Sequence, residues 1–252
     1  MIHSDLEGAS VFITGGGSGI GLSLTEGFLR QGAKVAFVGR SDYRAEVDRL
    51  SGSTGIRPLF IRCDVTDIPA LTAAMDEAEA AHGPLDVLIN NAANDMRFDA
   101  LEVTEADWDA QLDVNLKHYF FASQHAARSM IARGRGAIVN LSSIVYMMGA
   151  GGMAPYITAN AAITGMTRAL ARDWGPGGIR VNALAPGMVL TDRQLRDWIT
   201  PEAKAAVMER QALKVEMGPG DMVGPVLFLA SEAARVITGQ CLVADAGVVA
   251  TG

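Results

Sequence analysis

The chain has 252 residues, 49% of them hydrophobic, enough to bury the core of one sizeable α/β domain. A formal charge of −7, from 21 basic and 28 acidic residues with no basic run of five or more, argues against nucleic acid as a partner and for a small-molecule substrate. Met1 to Ser10 is polar and unlike a signal peptide, and no apolar run approaches the ~20 residues of a membrane helix, so the expected protein is cytoplasmic with no membrane partner.

Cys63 and Cys241 stand alone, without C-x-x-C spacing, and the four histidines show no ligand spacing, so neither a disulfide nor a metal is expected. The first element is an apolar run from Ser10 to Thr14 that opens into TGGGSGIG. Gly15, Gly19 and Gly21 read as the turn between a strand and a helix, with Gly17, Ser18 and Ile20 completing it. Lacking Cβ atoms there, the backbone can approach a bulky anion, and the helix N-terminus adds unpaired N–H groups and positive dipole: a pyrophosphate cradle. A glycine-rich turn alone also fits an ordinary strand-to-helix junction.

Further strands are expected at Lys34–Gly39, Arg57–Cys63, Leu85–Asn90, Ala137–Leu141, Ile179–Leu184 and Gln240–Ala244. Helical periods run near Gly19–Gln31, Ile68–His82, Glu105–Arg133, Pro155–Trp174 and Met222–Ala230. Continuously apolar strands such as VFIT, DVLIN and AIVNL suit a sheet covered on both faces. Their alternation with helices predicts a single α/β domain over 1–252, a doubly wound, Rossmann-like parallel sheet of seven strands with helices on both faces.

In such a sheet ligands bind beyond the carboxyl ends of the strands. After the second strand, where a carboxylate would hold the ribose diol of NAD, stand Gly39 and Arg40. A guanidinium suits a 2′-phosphate, so NADP(H) is the preferred cofactor, with NAD(H) possible while Asp42 lies close by. Asp64 and Val65 follow the third strand within reach of an adenine, and Asn91, Ala92 and Ala93 follow the fourth, where a ribose could lie. The fifth strand ends at Ser142-Ser143, and thirteen residues later Tyr156 opens a helix. A hydroxyl and a phenol aimed at one carbonyl are what hydride transfer needs: Ser143 holds the substrate oxygen, Tyr156 passes the proton. A serine and a tyrosine so spaced are unremarkable in isolation.

Taken together, these motifs resemble the short-chain dehydrogenase/reductase family, in its order, from about Leu6 to Gly247. TGGGSGIG resembles its glycine motif, CDV supplies Asp64, and NNAA resembles N-N-A-G with Ala93 for the last glycine. Asn115 falls on the family's structural and catalytic asparagine, Ser143 on its serine and Tyr156 on its tyrosine. Pro186, Gly187, Val189 and Thr191 match the segment that meets the nicotinamide carboxamide, and ADAG resembles the V-D-G-G of a subunit contact. The resemblance implies a nicotinamide-dependent oxidoreductase, usually a homotetramer, otherwise a homodimer.

One position departs from it. The family's Y-x-x-x-K reads Tyr156-Ile157-Thr158-Ala159-Asn160, so the lysine one helical turn on is asparagine. In the family that ammonium lowers the tyrosine's pKa and bonds the nicotinamide ribose; Asn160 keeps a hydrogen bond and brings no charge. A phenol left near pKa 10 is roughly one part in a thousand ionised at neutral pH, so oxidation suffers most. Lys117 and Arg168 are the cations that could compensate. A weakened or alkaline-shifted enzyme, a non-catalytic cofactor binder and an engineered substitution all fit Asn160.

For the substrate, Asn91 to Asp95 with Arg97, and Thr191 to Gln194 with Trp198 to Glu202, resemble the bacterial aldose and pentose 1-dehydrogenase branch. Asn94 and Gln194 could bond sugar hydroxyls, or stand on the rim without touching ligand. Met148, with Met147 and Met153, suggests an adaptable, partly apolar wall. Residues 187–211 are expected to form a mobile substrate lid.

Overall fold

The computed structural model describes residues 2–250. Seven parallel strands form one sheet in the order β3-β2-β1-β4-β5-β6-β7. They are β1 (Ser10–Thr14), β2 (Lys34–Gly39), β3 (Leu59–Arg62), β4 (Val87–Asn90), β5 (Gly136–Leu141), β6 (Ile179–Pro186) and β7 (Cys241–Ala244). Register is tight at the centre, where Phe12 lies between Ala36 of β2 and Leu88 of β4. The order reverses between β1 and β4, which leaves a crevice above their carboxyl ends.

Helices cover both faces because the central strands are buried on both. On one side α1 (Gly19–Arg30), α2 (Arg44–Thr54) and α10 (Val223–Ala230) bury Leu24, Phe28, Leu50 and Leu227. On the other α3 (Ile68–His82), α5 (His118–Arg133) and α7 (Ala154–Trp174) bury Leu71, Met75, Ala126 and Leu170. Caps fix several starts: Asp67 accepts from Ala70 N, and Thr104 forms a reciprocal capping box with Asp107 at α4 (Glu105–Leu112).

Three expectations about the elements change. The single helix expected over Glu105–Arg133 is α4, a π-helical turn at Asp113–Lys117, and α5. The wider turn inserts a residue and swings Asn115 into the interior. Helix α2 went unforeseen because it buries only Val47 and Leu50 and ends in a Ser-Gly-Ser-Thr run that reads as loop. Strands β3 and β4 begin two residues later than expected, and β6 continues to Pro186, carrying the chain over the crevice.

Two short helices, α8 (Asp192–Asp197) and α9 (Pro201–Arg210), complete the segment 187–211; α6 (Val145–Met148) lies between β5 and α7. The ADAG segment turns tightly, its Asp245 carboxylate accepting from Gly247 N and Val249 N at 2.8 Å each. Ala246 sits there at φ 58, in left-handed space that glycine enters freely and alanine only at some cost.

Candidate active site

The glycine turn is shaped by contacts that only glycine allows. Gly15 has φ +70 and Gly19 φ +51, and a Cβ on Gly21 would lie 2.0 Å from the Gly15 carbonyl oxygen. Thr14 Oγ1 accepts from the N–H groups of Asn91 (2.9 Å) and Ala92 (3.1 Å). Asn91 Nδ2 returns bonds to the carbonyls of Thr14 and Gly15 at 3.0 and 3.1 Å. The tips of β1 and β4 are thus laced together, and Asn91 stiffens the cradle from behind.

A crevice of about 530 Å³ opens from this turn. Ser18, Gly19 and Ile20 line one end, Arg40, Asp64 and Val65 another, and Ala92, Ala93, Tyr156 and Thr191 the side nearest the chemistry. Thr191 packs within 3.4 Å of where a Gly19 Cβ would be, so the start of the lid rests on the turn. Pro186 ends β6, Gly187 N donates to Ala244 O, and Val189 bridges to Met217. A larger cavity, about 690 Å³, lies at the amino ends of the strands among Asp86, Arg135, Arg180 and Glu232. It is remote from the glycine turn and on the end of the sheet where ligands do not bind in this topology.

At the adenosine end Arg40 reaches into solvent, 3.9 Å from Asp64, and its carbonyl accepts from Arg62 Nε at 2.9 Å. Asp42 is held by Arg44 through Nε contacts of 3.0 Å, which pull its carboxyl down to about 2 and leave its charge matched. Tyr43, absent from the sequence expectations, lies where a Cβ on Gly17 or Gly39 would go, 2.4 and 2.5 Å from its ring atoms. Its aromatic contacts with Phe37 and Phe60 hold it over the end of β2.

At the reacting end Ser143 follows β5, and Tyr156 starts the first turn of α7 just after Pro155. Burial, and then the Asp95 carboxylate, push the Tyr156 phenol up to about 12. Hydrogen bonds from Asn160 and Ser143 and the charge of Arg193 act against that rise. Asn160 is buried, its Nδ2 donating to the Tyr156 carbonyl at 2.9 Å and its own carbonyl accepting from Ser142 Oγ at 3.0 Å. A cavity of about 90 Å³ lies beside it, between Asn115, Tyr119 and Tyr156.

Asn115 does not point into open crevice. Its Oδ1 accepts from Asn94 N at 2.7 Å, and its Nδ2 donates to Asn94 O and Gln111 O at 2.9 Å each. The amide grips the backbone of the β4 loop from both sides. Beneath it Tyr119 donates to Leu141 O at 3.0 Å, and Asn90 Nδ2 donates to Asn140 Oδ1 at 2.8 Å. Asn90 and Asn140 show in the sequence only as polar residues at the ends of apolar strands.

The lid residues meet the β4 loop. Arg193 Nη2 donates to Asn94 Oδ1 at 2.8 Å and lies 2.8 Å from Asp95 Oδ1, while Gln194 Nε2 donates to Asp95 Oδ2 at 2.6 Å. Asn94 and Gln194 therefore share one network, whose centre, Asp95 and Arg193, was not singled out as functional. Met148 is half-buried on α6, outside the residues that line the crevice. Lys117 pairs with Asp113 at 3.0 Å, and exposed Arg168 acts on Tyr146 and Cys241, so neither cation serves Tyr156.

The crevice suits a dinucleotide: a cradle that a single Cβ would fill, the N-terminus of a twelve-residue helix, and an open channel from there to Tyr156. Known proteins agree. The sequence pattern described as enoyl-(acyl carrier protein) reductase matches residues 15–249. The chain is 47% identical to the "Probable galactose dehydrogenase GalD" of Rhizobium meliloti (strain 1021), covering 97% of this chain and 96% of that one. It is 46% identical to the D-xylose 1-dehydrogenase of Caulobacter vibrioides (strain NA1000 / CB15N), over 98% of each. A crystal structure of a candidate gluconate dehydrogenase from Agrobacterium tumefaciens superposes with a TM-score of 0.93 at 31% identity, over 100% of both chains. By pattern, relatives and fold the chain belongs to the short-chain dehydrogenase/reductase family, and it is an oxidoreductase that uses a nicotinamide cofactor.

Proposed function

We propose that the protein oxidises the hydroxyl of an aldose or related polyol, with NADP as the preferred cofactor. The observation that carries the reading is the Tyr156 phenol on the wall of a crevice that begins at the glycine turn, with Ser143 acting on it from the end of β5. The relatives' names supply the substrate class: galactose, D-xylose and, at 39% identity in Cereibacter sphaeroides, galactitol.

Gly15, Gly19 and Gly21, with the amides at the start of α1, hold the diphosphate. Asp64 and Val65 would meet the adenine, Ala92 and Ala93 the ribose, and Pro186, Gly187, Val189 and Thr191 the carboxamide. Arg40 and Ser41, with Arg62 behind them, would meet a 2′-phosphate, Arg44 matching Asp42 and Asp64 lying 3.9 Å from Arg40. A nicotinamide held there would supply the acceptor for the hydride that leaves the alcohol carbon. Ser143 holds the substrate oxygen, and the Tyr156 phenolate takes its proton. Asn115 steadies the loop that carries Asn94, and Asn160 holds the Tyr156 carbonyl without charging the site.

The domain works as a unit over 1–252, with 187–211 as its lid. We place the protein in the cytoplasm; no described helix is long and apolar enough to cross a membrane. Phe120 on α5 and Leu242 on β7 are exposed apolar residues that subunit contacts in a homotetramer would cover.

A panel of aldoses, polyols and ketones with both cofactors over pH 6 to 10 tests the reading. Oxidation of at least one aldose is expected, and Tyr156→Phe removes it by about 10³-fold or more while cofactor affinity holds. Silence across the panel, or undiminished turnover in Tyr156→Phe, contradicts the proposal.

A further inference from the structure

The lid is fastened by contacts with a neighbouring loop rather than by its own core. Neither α8 nor α9 buries a residue. Contacts with the β4 loop hold it down: Arg193 on Asn94 and Asp95, Gln194 on Asp95, and the Arg97 guanidinium 4.9 Å from the Trp198 ring centroid. Trp198 Nε1 is buried there without a hydrogen-bond partner among the described residues, so this contact packs better than it bonds.

The same latch borders the phenol: Asp95, Arg193 and Gln194 line the crevice that Tyr156 lines. The charged and titratable groups around Tyr156 are Asp95 from the β4 loop, Arg193 from the lid and Tyr119 from α5, beside the hydrogen-bonding Ser143 and Asn160. Its own helix contributes no charge, because position 160 is asparagine. An unpaired carboxylate at Asp95 opposes a phenolate, and a guanidinium resting on that carboxylate offsets part of the opposition.

Building on the reading of Tyr156 as the group that moves the proton, we propose that Arg193 is the positioning residue that tunes it. Latched on Asp95, the lid offsets part of the carboxylate's opposition to the phenolate, so proton transfer is faster with the lid down than with the lid raised. Lid closure thus does part of the task that a fixed lysine at position 160 does elsewhere in the family.

Phenolate absorbance read immediately after an alkaline pH jump gives the Tyr156 midpoint before the protein unfolds, with Tyr156→Phe as baseline. Arg193→Met is expected to raise the midpoint by about one pH unit, Asp95→Asn to lower it, and the double variant to return near the parent. A latch that only holds the lid in place moves both single variants the same way, and that result, or an unmoved midpoint in Arg193→Met, overturns the proposal. In sugar oxidation, Arg193→Met should cost about tenfold or more in kcat, and less than about threefold in an Asn160→Lys background. An equal cost in both backgrounds also overturns it. The absorbance readout needs no substrate. A parent enzyme silent toward sugars with shifted midpoints therefore defeats the substrate reading alone, and unmoved midpoints with normal turnover defeat this one alone.

Discussion

Asn160 decides how Tyr156 behaves. It is buried one turn from the phenol, its amide turned back on its own helix, and the cation that acts on the phenol is Arg193, reaching in from the lid. Replacing it should therefore have a large and signed effect. Asn160→Lys is expected to raise sugar oxidation at pH 8 by about 10- to 100-fold and to move the pH–rate profile toward neutrality, the ammonium filling the cavity of about 90 Å³ beside Tyr119. Initial rates from pH 6 to 10 check this, and an unchanged or slower variant would show that the site is built around asparagine. Residues fixed by local backbone demands, such as Gly15, Gly21 and Tyr156 after Pro155, were legible in the sequence. Asp95, Arg193 and Tyr43 were not. Their roles come from partners brought in by folding: Arg193 is 98 positions from the carboxylate it meets, and Tyr43 packs on Gly17 and Gly39 across two loops.

Strand and helix period carried most of the architecture. β1, β2 and α3 occupy the ranges expected from apolar runs and turn residues. The failures have physical causes. A π-helical turn leaves no mark on a helical pattern, since one extra residue among Asp113 to Lys117 keeps the flanking periods intact. Helix α2 is too polar to announce itself, with two buried residues in eleven. The lid helices α8 and α9 bury none, and stretches so weakly packed are drawn from the least stable part of a fold. Hydrogen exchange should show this directly. Amides in 192–210 are expected to exchange about 10²-fold or more faster than those of α7 in the free protein, and to slow when NADP and a sugar are both present. Uniform protection across α7 and the lid would mean the lid is rigid, and the coupling inferred for Arg193 would lose its basis.

The strand order places every candidate site residue on one end of the sheet, because the reversal between β1 and β4 opens a crevice where loops from five strands converge. The surface around the adenosine end is locally basic although the chain as a whole is acidic. That contrast predicts cofactor choice: at one fixed concentration NADPH should raise the melting temperature several degrees more than NADH, since stabilisation follows RT ln(1 + [L]/Kd). A larger shift with NADH would assign Arg40 to solvent.

The central claim is that the half-buried Tyr156 phenol, pushed up to about 12 by desolvation and by Asp95, is the base in sugar oxidation. A base far above ambient pH is ionised in a fraction that grows tenfold with each pH unit. The direct measurement is kcat/KM for aldose oxidation with NADP between pH 6 and 9. A line of slope about +1 with no plateau in that range is the predicted result; a plateau at or below pH 8 would contradict it.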